Sequence, residues 1–281
     1  MPEVSQQLYV GSQEVFGFIS EQWIAINPYE SLGFDPDAQA FINVTGISGS
    51  NATAINNLVL NLKSGSYWSG LDAIYPMIGG TATTHKYNLK NPLDTDAAFR
   101  LNFVGGWTHN SSGAKPDGVS GTYADTFAVP NTLFTTTNGA FSYYSFTNSA
   151  AADDVELGAT NAASAGETLL ALRFSDGNQY GFFGAVGGGV ASSDSSGYFI
   201  VNRTAAVEGW KNGTRVINTG TTVTTITSRT LYLAADNDGT TSYRNSSRGC
   251  SFATIGDTIS NPAGFSTIVN NYQTALGRNT Y

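Results

Sequence analysis

The segments Val207 to Lys211 and Thr214 to Ile217 are joined by nothing but Asn212-Gly213. A two-residue link between strands needs positive φ at both positions, which Asn and Gly adopt at little cost, so this stretch reads as a type I′ hairpin. Ser175-Asp176-Gly177-Asn178 gives the same signal between Thr168–Phe174 and Gln179–Phe183. Phe99 to Val104 alternates apolar and polar residues cleanly, and Phe141 to Phe146 less cleanly. Gly197 to Val201 and Thr230 to Ala234 complete the strong strand candidates. Short strands at this spacing indicate an antiparallel sandwich or barrel, so the expected class is mainly β. Only 12% of the residues are charged, about half the usual share. Thr, Ser, Asn and Gly supply the polarity, as suits strands joined by tight turns.

Residues 35–78 change to a helical period. Asp35 precedes Pro36, and Ala38 to Ile42 reads as a first helix. Asn51 reads as the N-cap of a second, in which Ile55, Leu58, Val59 and Leu62 form one stripe and Gly65 ends it. Leu71, Ile74, Tyr75 and Ile78 repeat that spacing in a third, shortened by Pro76. A last helix is capped by Asn261, opens on Pro262 and carries Phe265, Ile268, Val269, Tyr272 and Leu276 on one face. The resulting plan has an N-terminal β arm (1–34), a helical cap (35–94) and a sandwich with its terminal helix (95–281). Leu8, Tyr9, Val10 and Val15 supply the apolar positions of the arm. Strands so short are marginal alone, so the arm must lie on the main domain or on a partner, and docking on a partner is the preferred expectation.

A formal charge of −8 disfavours a nucleic-acid surface, which needs basic residues to displace phosphate counterions. The single cysteine, Cys250, permits no internal disulfide and reads as a small core residue. Met-Pro-Glu-Val opens the chain without a signal-peptide pattern, and no apolar run is long enough to span a bilayer. The expectation is a protein made in a cytoplasm, with no membrane insertion.

Gly209-Trp-Lys-Asn-Gly-Thr-Arg-Val216 followed by Leu231-Tyr-Leu-Ala-Ala-Asp-Asn-Asp-Gly239 resembles the late strands of concanavalin-like, laminin-G-like sandwiches. Cys250 to Ser260 is similar to the closing strand of that fold. A second resemblance is to tail and virion proteins of phages and prophages. It lies in Asn51 to Ile78, Gly79 to Asp94, Phe103-Val-Gly-Gly-Trp-Thr-His-Asn110 and the opening Leu8-Tyr9-Val10-Gly11-Ser12. The resemblance implies a jelly-roll sandwich in a virion. Its expected partners are other virion subunits in a symmetric assembly, with a cell-surface glycan as a further one.

Chemistry is sparse. The glutamates, Glu3, Glu14, Glu21, Glu30, Glu156, Glu167 and Glu208, show no pair at the spacing a concanavalin-like glucanase uses. Asp153-Asp154-Val155-Glu156 reads as a solvated loop. His85 and His109 have no visible partner base, and Gly184 to Gly189 lacks the Lys-Ser/Thr of a phosphate loop, which leaves a mobile strand connection. No catalytic residue is assigned, and the chain is expected not to be an enzyme. Asp236 and Asp238 could offer hard oxygens to Ca2+, against the plainer reading of an Asx-rich turn; otherwise no cofactor is expected. For a glycan, Trp107, His109 and Asn110, at the start of a loop running to Gly121, and Trp210, beside its turn, are the candidate contacts. The preferred expectation is a virion structural protein, a capsid decoration or tail-fibre component for assembly and host-glycan recognition. A free lectin-like module is the alternative, and a glycan hydrolase the more distant one.

Overall fold

The computed structural model describes residues 33–161, 166–220, 222–240 and 242–281, together with backbone pairing of the arm strands β1 (Tyr9–Val10), β2 (Gln13–Glu14), β3 (Phe16–Ile19) and β4 (Gln22–Ala25). Leu8 and Val15, and the side chains of Tyr9 and Val10, lie outside the described residues. The rest is mainly β: two antiparallel sheets face one another as a sandwich.

The first sheet runs in the order β17 (Thr214–Thr219), β16 (Val207–Lys211), β15 (Gly197–Arg203), β10 (Gly139–Ser145), β21 (Cys250–Gly256), β8 (Gly113–Pro116), β7 (Trp107–Asn110). A further strand, β5 (Leu71–Tyr75), pairs with β21 further along the same strand. The second sheet runs β14 (Val186–Ala191), β13 (Asn178–Phe183), β12 (Thr168–Ala171), β11 (Leu157–Ala159), β18 (Tyr232–Leu233), β9 (Tyr123–Asp125), β6 (Asn102–Val104). There β19 (Asp236–Asn237) lies parallel to β11 and antiparallel to β20 (Ser242–Tyr243). Asn212 and Gly213 have φ of 51° and 77°, as the I′ turn requires.

Three helices, α1 (Pro36–Thr45), α2 (Gly49–Ser64) and α3 (Pro262–Ala275), cover the outside of the first sheet. Alternation along the central strands sorts their side chains between two cores. Phe141, Tyr143, Phe199 and Val201 point between the sheets to meet Leu157, Leu170 and Phe183. Tyr144, Tyr198, Ile200 and Phe252 point the other way, against Phe41, Ile55, Leu62, Phe265 and Val269 of the helices. Each such side chain contributes about 1.5–3 kcal/mol by leaving water. A strand buried on both faces has no polar side to show, which is why Phe141 to Phe146 alternated poorly.

Several expectations are corrected. The third helical stripe is instead β5: its ladder to β21 is secured by Asn88, which accepts the Ile74 N–H at 2.9 Å and donates to the Asp72 and Ala98 carbonyls. Ser48, not Asn51, occupies the N-cap position of α2. Asp35 and Asn261 do cap α1 and α3, accepting the Asp37 and Gly264 amides. The Gly184–Gly189 run is no mobile connection, since residues 186–189 belong to the edge strand β14. The loop expected from Asn110 begins instead with the β7–β8 hairpin.

Candidate functional site

The two outer faces of the sandwich differ. Helices cover the first sheet, whereas among the described residues the second presents an open face. On it Leu169 and Ala171 of β12 project with Val155 and with Phe174, Tyr180 and Phe182. Tyr180 and Phe182 stack at 6.0 Å between centroids, and Phe174 meets Tyr180 edge-on at 5.8 Å. All three rings stay partly exposed. They floor a cleft of about 190 Å³ whose polar wall is Arg244 and Glu167.

The glycines of β14 make this floor. Gly189 and Gly187 pair with Tyr180 and Phe182, and a Cβ on either would collide with the facing ring. Their absence lets the aromatic rings lie over the edge strand. Two glycines at i and i+2 facing two aromatics at i and i+2 form a pattern visible in the sequence once the strand pairing is known.

Arg244 has a φ of 51°, in the left-handed region where a non-glycine residue is uncommon and costs free energy. That conformation sends its guanidinium over the faces of Phe174 and Tyr243, 5.2 and 5.0 Å from their centroids. Its Nη1 lies 3.7 Å from Glu167 Oε1 and its Nε 3.3 Å from Asp153 Oδ1. Nε is buried without a properly aligned hydrogen bond. Burial raises the pKa of Glu167, and Arg244 opposes that shift. Tyr180 donates its phenol to Asp176 Oδ2 at 2.6 Å, which fixes the ring. The cleft therefore combines flat apolar rings with a cationic donor and anionic acceptors, a pairing suited to ligands with both C–H faces and hydroxyl edges.

The residues expected from the sequence do not converge. Trp107, His109 and Asn110 sit on β7 and Trp210 on β16, five strands apart, about 24 Å at ordinary strand spacing. Trp107 Nε1 is committed to the Val104 and Tyr123 carbonyls at 3.0 and 3.3 Å. Its ring shares a broad recess with Lys115 and Asp117. His109 Nδ1 lies 3.0 Å from His85 Nδ1, and Asn110 accepts the Ser112 amide. Trp210 donates to Glu208 and packs at the edge of the helix-side core. Asp236 is buried and accepts the Thr160 hydroxyl at 3.0 Å, while Asp238 accepts from Thr240 in its own turn. Among the described residues no three His, Cys, Asp or Glu side chains cluster as metal ligands. No helix among them is long and apolar enough to cross a membrane.

The Asp153–Glu156 run is solvated only at Asp153; the other three residues are buried. Glu156 is wholly buried, accepting from Arg248 Nη1 at 2.7 Å, Ser246 Oγ at 2.8 Å and the Leu172 amide at 2.8 Å. Asp154 lies 3.4 Å from the same guanidinium, and burial, ahead of repulsion from Glu156, pushes its pKa up to about 6. Nothing local in the sequence announced Arg248, the partner that lets this carboxylate go inside.

No family model matches the sequence, and no curated protein matches it. Among solved structures, a mutant of Trypanosoma rangeli sialidase displaying trans-sialidase activity is similar at 11% identity and a TM-score of 0.44, covering 82% of this chain and 40% of that one. The Trypanosoma rangeli sialidase in complex with sialic acid gives 12%, 0.41, 78% and 39%. Domain 4 of AbnA, a GH43 extracellular arabinanase from Geobacillus stearothermophilus, in complex with arabinotriose, gives 11%, 0.39, 71% and 98%. The chain thus spans about two fifths of the sialidases' length. These are carbohydrate-active proteins. The expectation that the chain is not an enzyme is corrected by them, since the solved structures it is similar to belong to enzymes. Likenesses of this size assign neither a reaction nor a substrate.

Proposed function

We propose that this chain recognises carbohydrate on the open face of its second sheet, as a component of a phage particle. One observation carries the first half: the face left bare by the helices holds a cleft with a floor of Phe174, Tyr180 and Phe182 and a wall of Arg244 and Glu167. Sugar rings stack their C–H faces on aromatics and bond their hydroxyls to charged groups at the rim. The particle setting rests on the sequence resemblance alone. In it the sandwich faces outward, and the arm with Leu8, Tyr9, Val10 and Val15 docks on neighbouring subunits.

The test is binding of the purified chain to a panel of soluble polysaccharides, alongside Tyr180→Ala, Arg244→Ala and Trp107→Ala. The first two variants are expected to lose binding and the third to keep it. Retention by both of the first two would refute the assignment. The same incubations read turnover directly, as release of smaller saccharides. Detection of the chain in purified particles by mass spectrometry tests the setting.

A further inference from the structure

The open face carries a second aromatic pair. Tyr123 of β9 and Tyr232 of β18 stack at 4.1 Å between centroids, with 15° between their planes. Their neighbours Ala124 and Leu233 point into the inter-sheet core, so both tyrosines lie on the same outer face as Tyr180 and Phe182. They border a recess of about 350 Å³ with Val104, Asn237 and Ser242. Strand β18 stands three positions from β13, and β9 four, about 14 and 19 Å at ordinary spacing. Between the recesses lies the β19–β20 hairpin. Its Asn237 and Ser242 border the tyrosine recess, while Arg244, directly after β20, walls the first cleft.

Each recess pairs a cation with carboxyl groups beside its rings. In the first cleft Arg244 faces Asp153 and Glu167. At the tyrosine recess the Arg229 guanidinium lies against Gly239, one of its lining residues, and Asp125 sits beside the tyrosine pair, where burial raises its pKa. Both recesses thus offer rings to stack on together with donors and acceptors for sugar hydroxyls.

We infer that the ligand is a linear oligosaccharide of several units, laid across both recesses and over the hairpin between them. This rests on the carbohydrate reading of the first cleft and adds the length of what binds there. The experiment is calorimetric titration with xylo-, cello-, malto- and chito-oligosaccharides from monosaccharide to hexasaccharide, on the wild type, Tyr180→Ala, Tyr232→Ala and Tyr232→Phe. Affinity is expected to rise with chain length. Tyr232→Ala is expected to weaken the longest binder by about tenfold and leave the shortest unchanged, with Tyr232→Phe close to wild type. If Tyr232→Ala unfolds, Tyr123→Ala takes its place. Length-independent affinity, lost in Tyr180→Ala but indifferent to Tyr232→Ala, would overturn the two-recess span and leave the first cleft standing. No binding by any series would overturn both readings.

Discussion

Arg248 and Glu156 meet at 2.7 Å with neither side chain exposed to solvent. The guanidinium also donates to the Ala150 and Arg173 carbonyls and to Ser149, which ties the 149–156 segment to the approach to β21. Removing one member leaves the other charged, buried and unpaired, at a cost of about 3–5 kcal/mol. Arg248→Met and Glu156→Leu are each expected to lower the urea midpoint by that equivalent. The double variant is expected to recover part of it, since no charge is left at position 156 or 248, although Asp154 and the Ala150 and Arg173 carbonyls still lose the guanidinium. Additive losses in the double variant would show that the two do not act as a pair.

His85 gives the fold an acid limit. Burial, then His109 and Arg278, lower its pKa from 6.5 to about 3. Its Nε2 has no partner, while Arg278 spends its donors on Gln273 and on carbonyls of Pro76, Met77, Ser111 and Ser251. The unfolded chain therefore binds a proton there that the folded chain refuses. The stability linked to His85 is complete above 6.5 and is lost as pH falls from 6.5 towards 3. Urea midpoints of wild type and His85→Gln are expected to converge or cross between about pH 7 and pH 4. A constant gap across that range would show that His85 does not titrate with unfolding.

Asp236 has the opposite sign. Burial raises its pKa to about 6, and the Thr160 hydroxyl only partly offsets this. Its charged form therefore costs stability in full above about pH 6, and the cost fades as pH falls from 6 towards 3.8. Asp236→Asn keeps an acceptor for Thr160 and carries no charge. It is expected to gain about 1–2 kcal/mol at pH 8 and nothing near pH 4. A loss of stability at pH 8 would mean that the carboxylate is needed there, as an ion ligand would require.

The Gly-rich edge strand offers a test of how the cleft is built. Gly189→Val puts a branched side chain where the Tyr180 ring lies. On the exposed edge this is expected to cost about 1 kcal/mol or less of stability while displacing the ring and weakening carbohydrate binding as Tyr180→Ala does. Normal binding by this variant would show that the ring position is unimportant.

The fold was legible where local chemistry decides it. Asn212-Gly213 can hardly do anything but turn, and Asn261-Pro262 opens a helix in almost any context. Leu71 to Ile78 misled because β5 is buried on the helix side and between the sheets, so its apolar residues follow no two-residue period. The site was harder to read. The tryptophans drew attention as stacking surfaces, yet Trp107 and Trp210 spend their N–H groups on nearby acceptors. The aromatics of the two recesses, Phe174, Tyr180, Phe182, Tyr123 and Tyr232, looked like ordinary strand residues. Which face a strand residue takes depends on sheet order, and sheet order joins residues more than a hundred positions apart, such as Ala124 and Leu233.

Hydrogen exchange with and without saturating oligosaccharide addresses the central claim most directly. Ligand binding on the open face is expected to slow amide exchange across 178–183 and 242–245, and to leave Trp107–Asn110, Trp210 and the helices unchanged. Protection centred on β7, on β16 or on the helix-covered side would contradict it.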